Sequence, residues 1–297
     1  MRHRRIGSTG LVASEVGLAV WSLVAGEGAR SDEAAAGVLG AALDLGVAYF
    51  EATDSDDGGR AEELLGQAVR GHRDEVTVAT TFGYDTTPRP WEPAGAPMLR
   101  PRHDWSAAFA ARALDRSLRR LRLEPIDLWL LHHPTMDAIS SDELFELLEA
   151  QVGKGKIRHY GVVLGPGPGW GDEGAAALQE RRVAAVETVY NVAEQSPGRD
   201  LAALATETGA GLVVRDPLAP RLEAAGRARL GFLERDRGQT LDQALLSFAL
   251  ADPAVATTLP PVRDRDHLAE LAGAADLDPP TPEDLDLIAE LHAGGSR

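Results

Sequence analysis

The sequence contains no cysteine among its 297 residues. This absence excludes disulfide bonds, thiolate zinc sites, iron–sulfur ligation and cysteine nucleophiles, so any chemistry must come from oxygen and nitrogen groups. Lysine is almost absent too, since Lys154 and Lys156 are the only two. No apolar stretch approaches the roughly 20 residues that span a bilayer, so we do not expect a membrane protein. The arginine-containing start is not followed by a long apolar segment, which argues against a signal peptide and predicts a cytoplasmic protein.

The charge balance narrows the range of partners. Aspartate and glutamate outnumber lysine and arginine by 46 to 30, which gives a formal net charge of −16 at pH 7. Such a surface repels phosphate backbones and anionic lipid, so nucleic acid and membranes are not expected as partners. A small molecule is the expected substrate, and the sequence leaves the oligomeric state open.

Short apolar runs alternate with amphipathic stretches along the whole chain. Repeated βα units of this kind predict an α/β fold with a parallel sheet covered by helices. Strands are predicted at Val16–Val20, Ala48–Glu51, Val76–Thr80, Asp127–Leu131, His159–Val163, Val183–Val189, Gly211–Val214 and Val255–Leu259. Helices are predicted at Ser31–Leu45, Arg60–Val69, Trp105–Leu121, Ser141–Val152, Gly174–Arg181, Gly198–Thr208, Leu241–Leu250 and Arg265–Ala274. This pattern predicts a single (β/α)8 TIM barrel, with residues 1–297 as one domain.

Two further pieces lie outside the repeat. Residues Met1–Leu11 predict a small hairpin around Ser8-Thr9-Gly10, of a size suited to closing the bottom of the barrel. Thr281-Pro282-Glu283-Asp284 predicts the start of an extra C-terminal helix, with proline where its missing N–H costs nothing.

Two of the predicted helices begin with a capping-box pattern. Ser140 is followed by Glu143, and Thr240 by Gln243. At this spacing each side chain can satisfy a backbone N–H that the first turn leaves unpaired. We therefore predict N-caps at Ser140 and Thr240.

Seven segments, taken in order, point to one family. They lie at Arg4–Trp21, Ala61–Gly71, Ser117–Pro134 (SLRRLRLEPIDLWLLHHP), Gly155–Val162 (GKIRHYGV), Val189–Asn191, Asp216–Ala219 and Ala244–Pro260. In this order and spacing they resemble the aldo-keto reductases over nearly the whole chain. The resemblance implies a TIM barrel that reduces carbonyls with a nicotinamide dinucleotide.

The catalytic residues implied by the resemblance are mostly replaced. The family uses a tyrosine as general acid, a lysine and an aspartate that lower its pKa, and a histidine that orients the carbonyl. Here Glu51 stands for the aspartate, Asp56 for the tyrosine and Thr81 for the lysine, whereas the histidine is retained as His132. A phenol needs a nearby cation to donate its proton near neutral pH. Both lysines lie before the fifth strand, at the bottom of the barrel, so we expect ordinary hydride chemistry to be lost.

The positions that the resemblance assigns to the cofactor are altered as well. Val163 and Leu164 occupy the places of the serine–asparagine pair that binds the carboxamide, and Glu187 replaces a glutamine. Arg263 and Arg265 can still attract a phosphate. We therefore predict that no cofactor is used, with NADPH as the second choice.

The polar residues expected at the mouth of the barrel are mostly acidic. They are Glu51, Asp54, Asp56, Asp57, Asp85, His132, Glu187 and Asp216, with Arg215 as the nearest cation. Because like charges repel in a partly dehydrated cleft, we expect a neutral or cationic substrate. Glu51 is the candidate base and His132 the candidate acid or carbonyl-orienting donor, and Asp56 and Tyr84 are further catalytic candidates. Further substrate contacts are expected from Trp21, Trp91, Trp170, Glu187, Tyr190, Arg215 and Asp216.

Three functions remain open from the sequence. The first is redox-neutral acid/base chemistry such as dehydration, isomerisation or cyclisation, in specialised metabolism. The second is a residual NAD(P)H-dependent oxidoreductase that works through Tyr84. The third is a noncatalytic binding protein, whose pocket would be filled by its own side chains. No metal site is predicted, because no close-spaced ligand motif is present.

Overall fold

A parallel β-barrel forms the centre of the protein. The computed structural model describes residues 1–24, 30–86, 102–166, 170–235, 238–277, 280–285 and 287–288. The strands are β1 His3–Arg5, β2 Val12–Ser14, β3 Leu18–Ala19, β4 Tyr49–Thr53, β5 Thr77–Phe82, β6 Tyr84–Asp85, β7 Arg102–His103, β8 Ile126–His132, β9 Ile157–Val163, β10 Ala185–Val189, β11 Gly211–Arg215 and β12 Val255–Leu259. Eight of them form one sheet in the order β12-β11-β10-β9-β8-β5-β4-β3.

The sheet closes into a barrel through its first and last strands. Val16 forms a parallel bridge with Thr258, and the Gly17 N–H donates to the Thr258 carbonyl at 2.9 Å. All neighbouring strands of this sheet are parallel. The predicted TIM barrel is therefore confirmed, and its strand ends collect at one mouth.

Helices surround the barrel. They are α1 Trp21–Val24, α2 Asp32–Asp44, α3 Arg60–Ala68, α4 Ala107–Leu121, α5 Met136–Ile139, α6 Asp142–Gly153, α7 Gly171–Glu180, α8 Gly198–Thr208, α9 Ala224–Arg229, α10 Phe232–Arg235, α11 Leu241–Leu250 and α12 Arg265–Gly273. One apolar cluster fills the space between strands and helices, and a second lies inside the barrel. Successive side chains of a strand face these two regions alternately, because the side-chain period of a strand is two residues.

The N-terminal hairpin forms as predicted. β1 and β2 pair in antiparallel register, and Ile6, which follows β1, is fully buried within the cluster inside the barrel. A Cβ on Gly7 would lie 2.3 Å from the Gly209 carbonyl oxygen, so only glycine lets the turn seat against the barrel. The hairpin thus closes the end of the barrel opposite the mouth.

One predicted cap is correct and one is displaced. Thr240 forms the full capping box with Gln243 at the start of α11. Ser140, in contrast, is the C-cap of the short helix α5, and the N-cap of α6 is the next residue, Ser141. The prediction placed the cap one residue too early because it did not include α5. Thr281 caps a further helical segment at 282–285, as predicted.

Candidate active site

A cavity of about 250 Å³ opens at the mouth of the barrel. Its lining residues are Trp21, Glu51, Thr53, Thr81, His132, His133, Val163, Glu187 and Arg215. Most lie at or near the carboxyl ends of β4, β5, β8, β9, β10 and β11. This is the face of a TIM barrel where active sites are built.

Two buried carboxyl groups form the floor of the cavity. Glu51 on β4 and Glu187 on β10 are each only 2% exposed, and both line the cavity. Burial raises the pKa of Glu51 well above its usual value, and the neighbouring Glu187 carboxyl raises it further. Two carboxyl groups that interact in this way favour sharing one proton over carrying two negative charges. Glu187 Oε2 is buried without a hydrogen-bond partner among the described residues.

A tyrosine that the sequence did not suggest lies below this pair. Tyr49 is fully buried inside the barrel, and its hydroxyl donates to Glu51 Oε2 at 3.3 Å. Burial, then the charges of Glu51 and Glu187, raise the pKa of Tyr49 well above 10, so it remains a neutral donor. Along β4 every second side chain faces the same side, and these are Tyr49, Glu51 and Thr53. This two-residue spacing is the sequence signal that could have identified Tyr49.

Arg215 brings positive charge to the same cavity. Its Nη2 donates to the Leu164 carbonyl at 2.5 Å, while Nε is buried without a partner in the described part of the chain. No ion pair between described residues joins Arg215 to Glu187 or Asp216, so neither is its salt-bridge partner. The Arg215 charge lowers the pKa of Glu51 against the raising effects of burial and Glu187, so the cavity holds a cation beside its carboxyl groups.

His132 is held by the residue that replaces the implied lysine. Thr81 Oγ1 lies 3.2 Å from His132 Nδ1. Burial lowers the pKa of His132 well below 6.5, and the neighbouring His133 and Arg215 charges lower it further. His132 is thus a neutral imidazole at neutral pH. It can orient a carbonyl through an N–H, but it does not carry a spare proton.

A second histidine, His133, links two of the candidate residues. Its Nδ1 lies 2.7 Å from the Tyr84 hydroxyl, and its Nε2 lies 3.4 Å from Arg215 Nη1. Burial and then the Arg215 charge lower the pKa of His133 to about 4. The sequence shows the pair as LLHHP. Because adjacent strand residues normally face opposite sides, only His132 was expected in the cavity. His133 has left the strand, with φ at 59°, and this turn brings its ring to the mouth.

Some predicted contacts lie at the cavity and others do not. Trp21 lines it, and the Trp170 ring centroid lies 6.0 Å from that of His133. Tyr190 instead packs on Phe248, with ring centroids 5.6 Å apart, and Asp216 is not a lining residue. Trp91 lies outside the described residues, as does the side chain of Asp56.

Asp54 belongs to a separate buried network. It is 6% exposed, and Oδ1 has no partner among the described residues. Burial, with the Glu62 charge as the next cause, raises the pKa of Asp54 to about 8 against the lowering effect of Arg120 and Arg116. Glu62 itself is held by Arg120 Nε at 2.5 Å and by the Thr80 hydroxyl at 2.7 Å. Asp54 therefore adds no negative charge to the mouth at neutral pH.

The described residues do not fit the carboxamide of a nicotinamide cofactor. Val163 and Leu164 have no polar side-chain atom, and the Leu164 carbonyl already accepts from Arg215. Glu187 is engaged with Glu51. On the phosphate side, Arg263 Nη2 lies 3.7 Å from Asp242 Oδ2, and the Arg263 side chain is 66% exposed, so it can still meet a phosphate. Arg265 extends over Gly37 of α2, where an added Cβ would meet its guanidinium.

Two further features of the described residues concern membranes and metals. Within the described ranges, none of the helices combines the length and the apolar character that a membrane span requires. No group of three or more histidine, aspartate or glutamate side chains in the described ranges is arranged to hold a metal ion.

Comparisons with known proteins agree on one family. The model of the aldo/keto reductase family matches residues 15–293. The chain is 34% identical over 164 residues to an uncharacterized oxidoreductase of Bacillus subtilis, covering 54% of this chain and 48% of the relative. It is 32% identical over 168 residues to a 6-dehydroglucose reductase of Novosphingobium aromaticivorans, covering 54% and 50%. An aldo-keto reductase of Schizosaccharomyces pombe named with NADP(+) is 32% identical over 161 residues, covering 54% and 44%.

The chain spans about half the length of the curated relatives it matches. A solved structure covers far more of it. The holo form of an aldo-keto reductase from Bacillus halodurans has a TM-score of 0.84 at 27% identity, and the match covers 98% of this chain and 96% of that one.

Proposed function

This chain belongs to the aldo/keto reductase family, and within that family we propose that it is an enzyme of redox-neutral proton transfer. The proposed reactions are dehydration, isomerisation or cyclisation of a neutral small molecule in specialised metabolism. The observation that carries the proposal is the pair of buried carboxyl groups, Glu51 and Glu187, that lines the cavity. Such a pair can give and take protons, and general acid–base catalysis is worth about 10² to 10⁴ in rate.

Burial favours a different division of roles from the one suggested by the sequence. Glu51 holds the shared proton, because its pKa is raised by burial and by Glu187. The Glu187 carboxyl, which lines the cavity, is then the base that removes a proton from the substrate. His132 is neutral and orients the substrate carbonyl through an N–H, so that the acidity of the adjacent C–H increases.

The charge balance of the cavity favours a neutral substrate over a cationic one. The Glu51–Glu187 pair and Arg215 offset each other, so a cation gains little there. Arg215 and Glu187 both line the cavity and offer a substrate one donor and one acceptor. A hydroxy ketone or hydroxy aldehyde complements both groups, since a buried polar atom left unpaired costs free energy.

A nicotinamide-dependent reduction is the second candidate. It is favoured by the relatives, which are named oxidoreductases and reductases, one of them with NADP(+). It is disfavoured by Val163 and Leu164, which offer no side-chain hydrogen bond to the carboxamide. A noncatalytic binding protein, the third candidate, is expected to fill its pocket, whereas the described residues leave about 250 Å³ open.

The domain and compartment predictions stay proposals. We propose that residues 1–297 fold as one domain and work in the cytoplasm. We also propose that the partner is a small molecule and that nucleic acid does not bind.

Hydrogen exchange in heavy water tests the proposed function. The purified protein is incubated in D₂O, without cofactor, with a panel of neutral β-hydroxy ketones and β-hydroxy aldehydes. Proton NMR is expected to show loss of the C–H signal next to the carbonyl, followed by formation of the unsaturated product. Glu187→Gln is expected to slow this loss at least about 100-fold, because an amide cannot act as the base.

The matched control is Glu207→Gln, which makes the same chemical change at an exposed position of α8. It should exchange at the wild-type rate. Equal exchange by wild type and Glu187→Gln would reject the base. Saturable NADPH binding at micromolar concentrations, with reduction of a simple aldehyde, would establish the second candidate instead.

A further inference from the structure

We propose that His133 connects Arg215 to Tyr84 and thereby directs the phenolic proton of Tyr84 toward the substrate, which makes Tyr84 the proton donor of this site. The hydrogen-bond direction stands on geometry alone, and the donor role rests on the proposed function. His133 and Arg215 act as positioning residues, and Tyr84 is the catalytic residue.

The direction of each hydrogen bond follows from the donor at one end. A guanidinium has only N–H donors, so His133 Nε2, 3.4 Å from Arg215 Nη1, must accept. A neutral imidazole that accepts at Nε2 carries its proton on Nδ1. His133 Nδ1 therefore donates to the Tyr84 oxygen at 2.7 Å. The hydroxyl proton of Tyr84 cannot point back along this bond and must be donated elsewhere.

The surrounding contacts hold the three side chains in this arrangement. Arg215 Nη2 is anchored on the Leu164 carbonyl at 2.5 Å. The backbone N–H of His133 donates to the Val163 carbonyl at 2.8 Å, at the left-handed turn that ends β8. The Tyr84 ring stacks on His103, with centroids 4.2 Å apart and planes inclined by 29°.

The same geometry places the expected cation, Arg215, within reach of Tyr84 through His133. Both lysines precede β9, at the far end of the barrel, whereas the Arg215 charge lowers the pKa of Tyr84 against the stronger raising effect of burial. The other titratable groups facing Tyr84 are His103, His132 and His133, and the pKa of each is lowered by burial. All three histidines are therefore neutral at pH 7, so the positive charge near Tyr84 comes from Arg215.

The proton balance of a dehydration shows what Tyr84 would do. The Glu187 carboxylate takes the C–H proton, and the C–H electron pair becomes the new C=C bond. The C–O bond of the leaving hydroxyl breaks, and its oxygen takes the proton of Tyr84 and departs as water. The phenolate is stabilised by the His133 N–H and the Arg215 charge until it regains a proton from solvent, while Glu187 releases its own.

Nuclear magnetic resonance of the whole protein tests the hydrogen-bond direction without any substrate. In ¹⁵N-labelled wild type at pH 7, His133 is expected as the neutral Nδ1–H tautomer. With ¹³C-labelled tyrosine, the titration midpoint of Tyr84 is expected to rise by about one unit in His133→Leu and in Arg215→Met, because the cation or its bridge is lost. Tyr49, Tyr160 and Tyr190 serve as internal references.

His72→Leu is the matched control, since the His72 side chain is 45% exposed and pairs with Glu75 at the far end of the barrel. It should leave the Tyr84 midpoint unchanged. An Nε2–H tautomer or an imidazolium at His133 in wild type would overturn the proposal, even if the variants do not fold. An unchanged midpoint in both variants would overturn it as well.

The donor role has a separate readout. Tyr84→Phe should slow the loss of water from a β-hydroxy ketone at least about 100-fold while C–H exchange continues. If Glu187→Gln abolishes C–H exchange but Tyr84→Phe loses water at the wild-type rate, the donor role is refuted and the proposed function stands. If wild type shows the expected His133 tautomer but no C–H exchange, the proposed function is refuted and the hydrogen-bond direction stands.

Discussion

Replacing Asp54 by asparagine is expected to stabilise the protein increasingly as the pH rises from 5 to 7. Asp54 is buried beside Glu62, and its pKa is raised to about 8. In the unfolded chain an aspartate has a pKa of about 4. The native state therefore keeps a proton that the unfolded state has lost, so the stability of wild type falls across the window from about pH 4 to pH 8.

The magnitude follows from the width of this window. Each pH unit between the two pKa values costs about 1.4 kcal/mol of unfolding free energy. Both pH 5 and pH 7 lie inside the window. Asp54 is therefore expected to lower the unfolding free energy of wild type by about 2 to 3 kcal/mol from pH 5 to pH 7. The amide of the Asp54→Asn variant does not titrate, so the variant lacks this cost.

Urea denaturation of both proteins at pH 5 and pH 7 measures the effect. The quantity to compare is the increase in unfolding free energy caused by Asp54→Asn at pH 7 minus the same increase at pH 5. In this difference the titration of all other groups cancels. A difference of about 2 to 3 kcal/mol is expected. A difference within about 0.5 kcal/mol of zero, the usual scatter of such comparisons, would show that Asp54 is already ionised in the native protein.

Further predictions concern packing, capping and the site. Gly66→Ala should destabilise the protein by at least about 2 kcal/mol, because its Cβ would lie 2.0 Å from the Leu121 carbonyl oxygen. Gly40→Ala, which meets nothing within 4 Å in a helix interior, should instead stabilise by about 0.5 to 1 kcal/mol. Thr240→Ala should cost about 1 kcal/mol by removing the capping box. All three are measured by urea denaturation. Thr81→Val should free His132 Nδ1, which ¹⁵N spectra would detect as a changed tautomer ratio.

Much of the barrel follows from local signals in the sequence. Each predicted strand overlaps an observed one, because buried β-strands leave short apolar runs and helices leave a longer period. The ends of the strands follow less closely from these signals. β5 continues to Phe82, two residues beyond the prediction, because Thr81 and Phe82 still pair with Leu130 and Leu131 of β8. The antiparallel pair of β6 and β7, each two residues long, gave no pattern strong enough to predict.

The candidate site was predicted less completely than the fold. Glu51, His132, Glu187 and Arg215 were expected at the mouth, and they do line the cavity. The lowered pKa of His132 was not foreseen, because the pKa of an imidazole depends on its burial and its neighbours. His133 was missed because its orientation depends on the left-handed turn at the end of β8.

What could be read from residue order alone was the alternating α/β pattern, the likeness to one family and the scarcity of cations suited to activating a phenol. These depend on local periodicity and composition. The pairing of Glu51 with Glu187, and the chain from Arg215 through His133 to Tyr84, arose only on closure of the barrel. Closure brings together strand ends that are distant in the chain, and burial at that point sets which groups keep their protons.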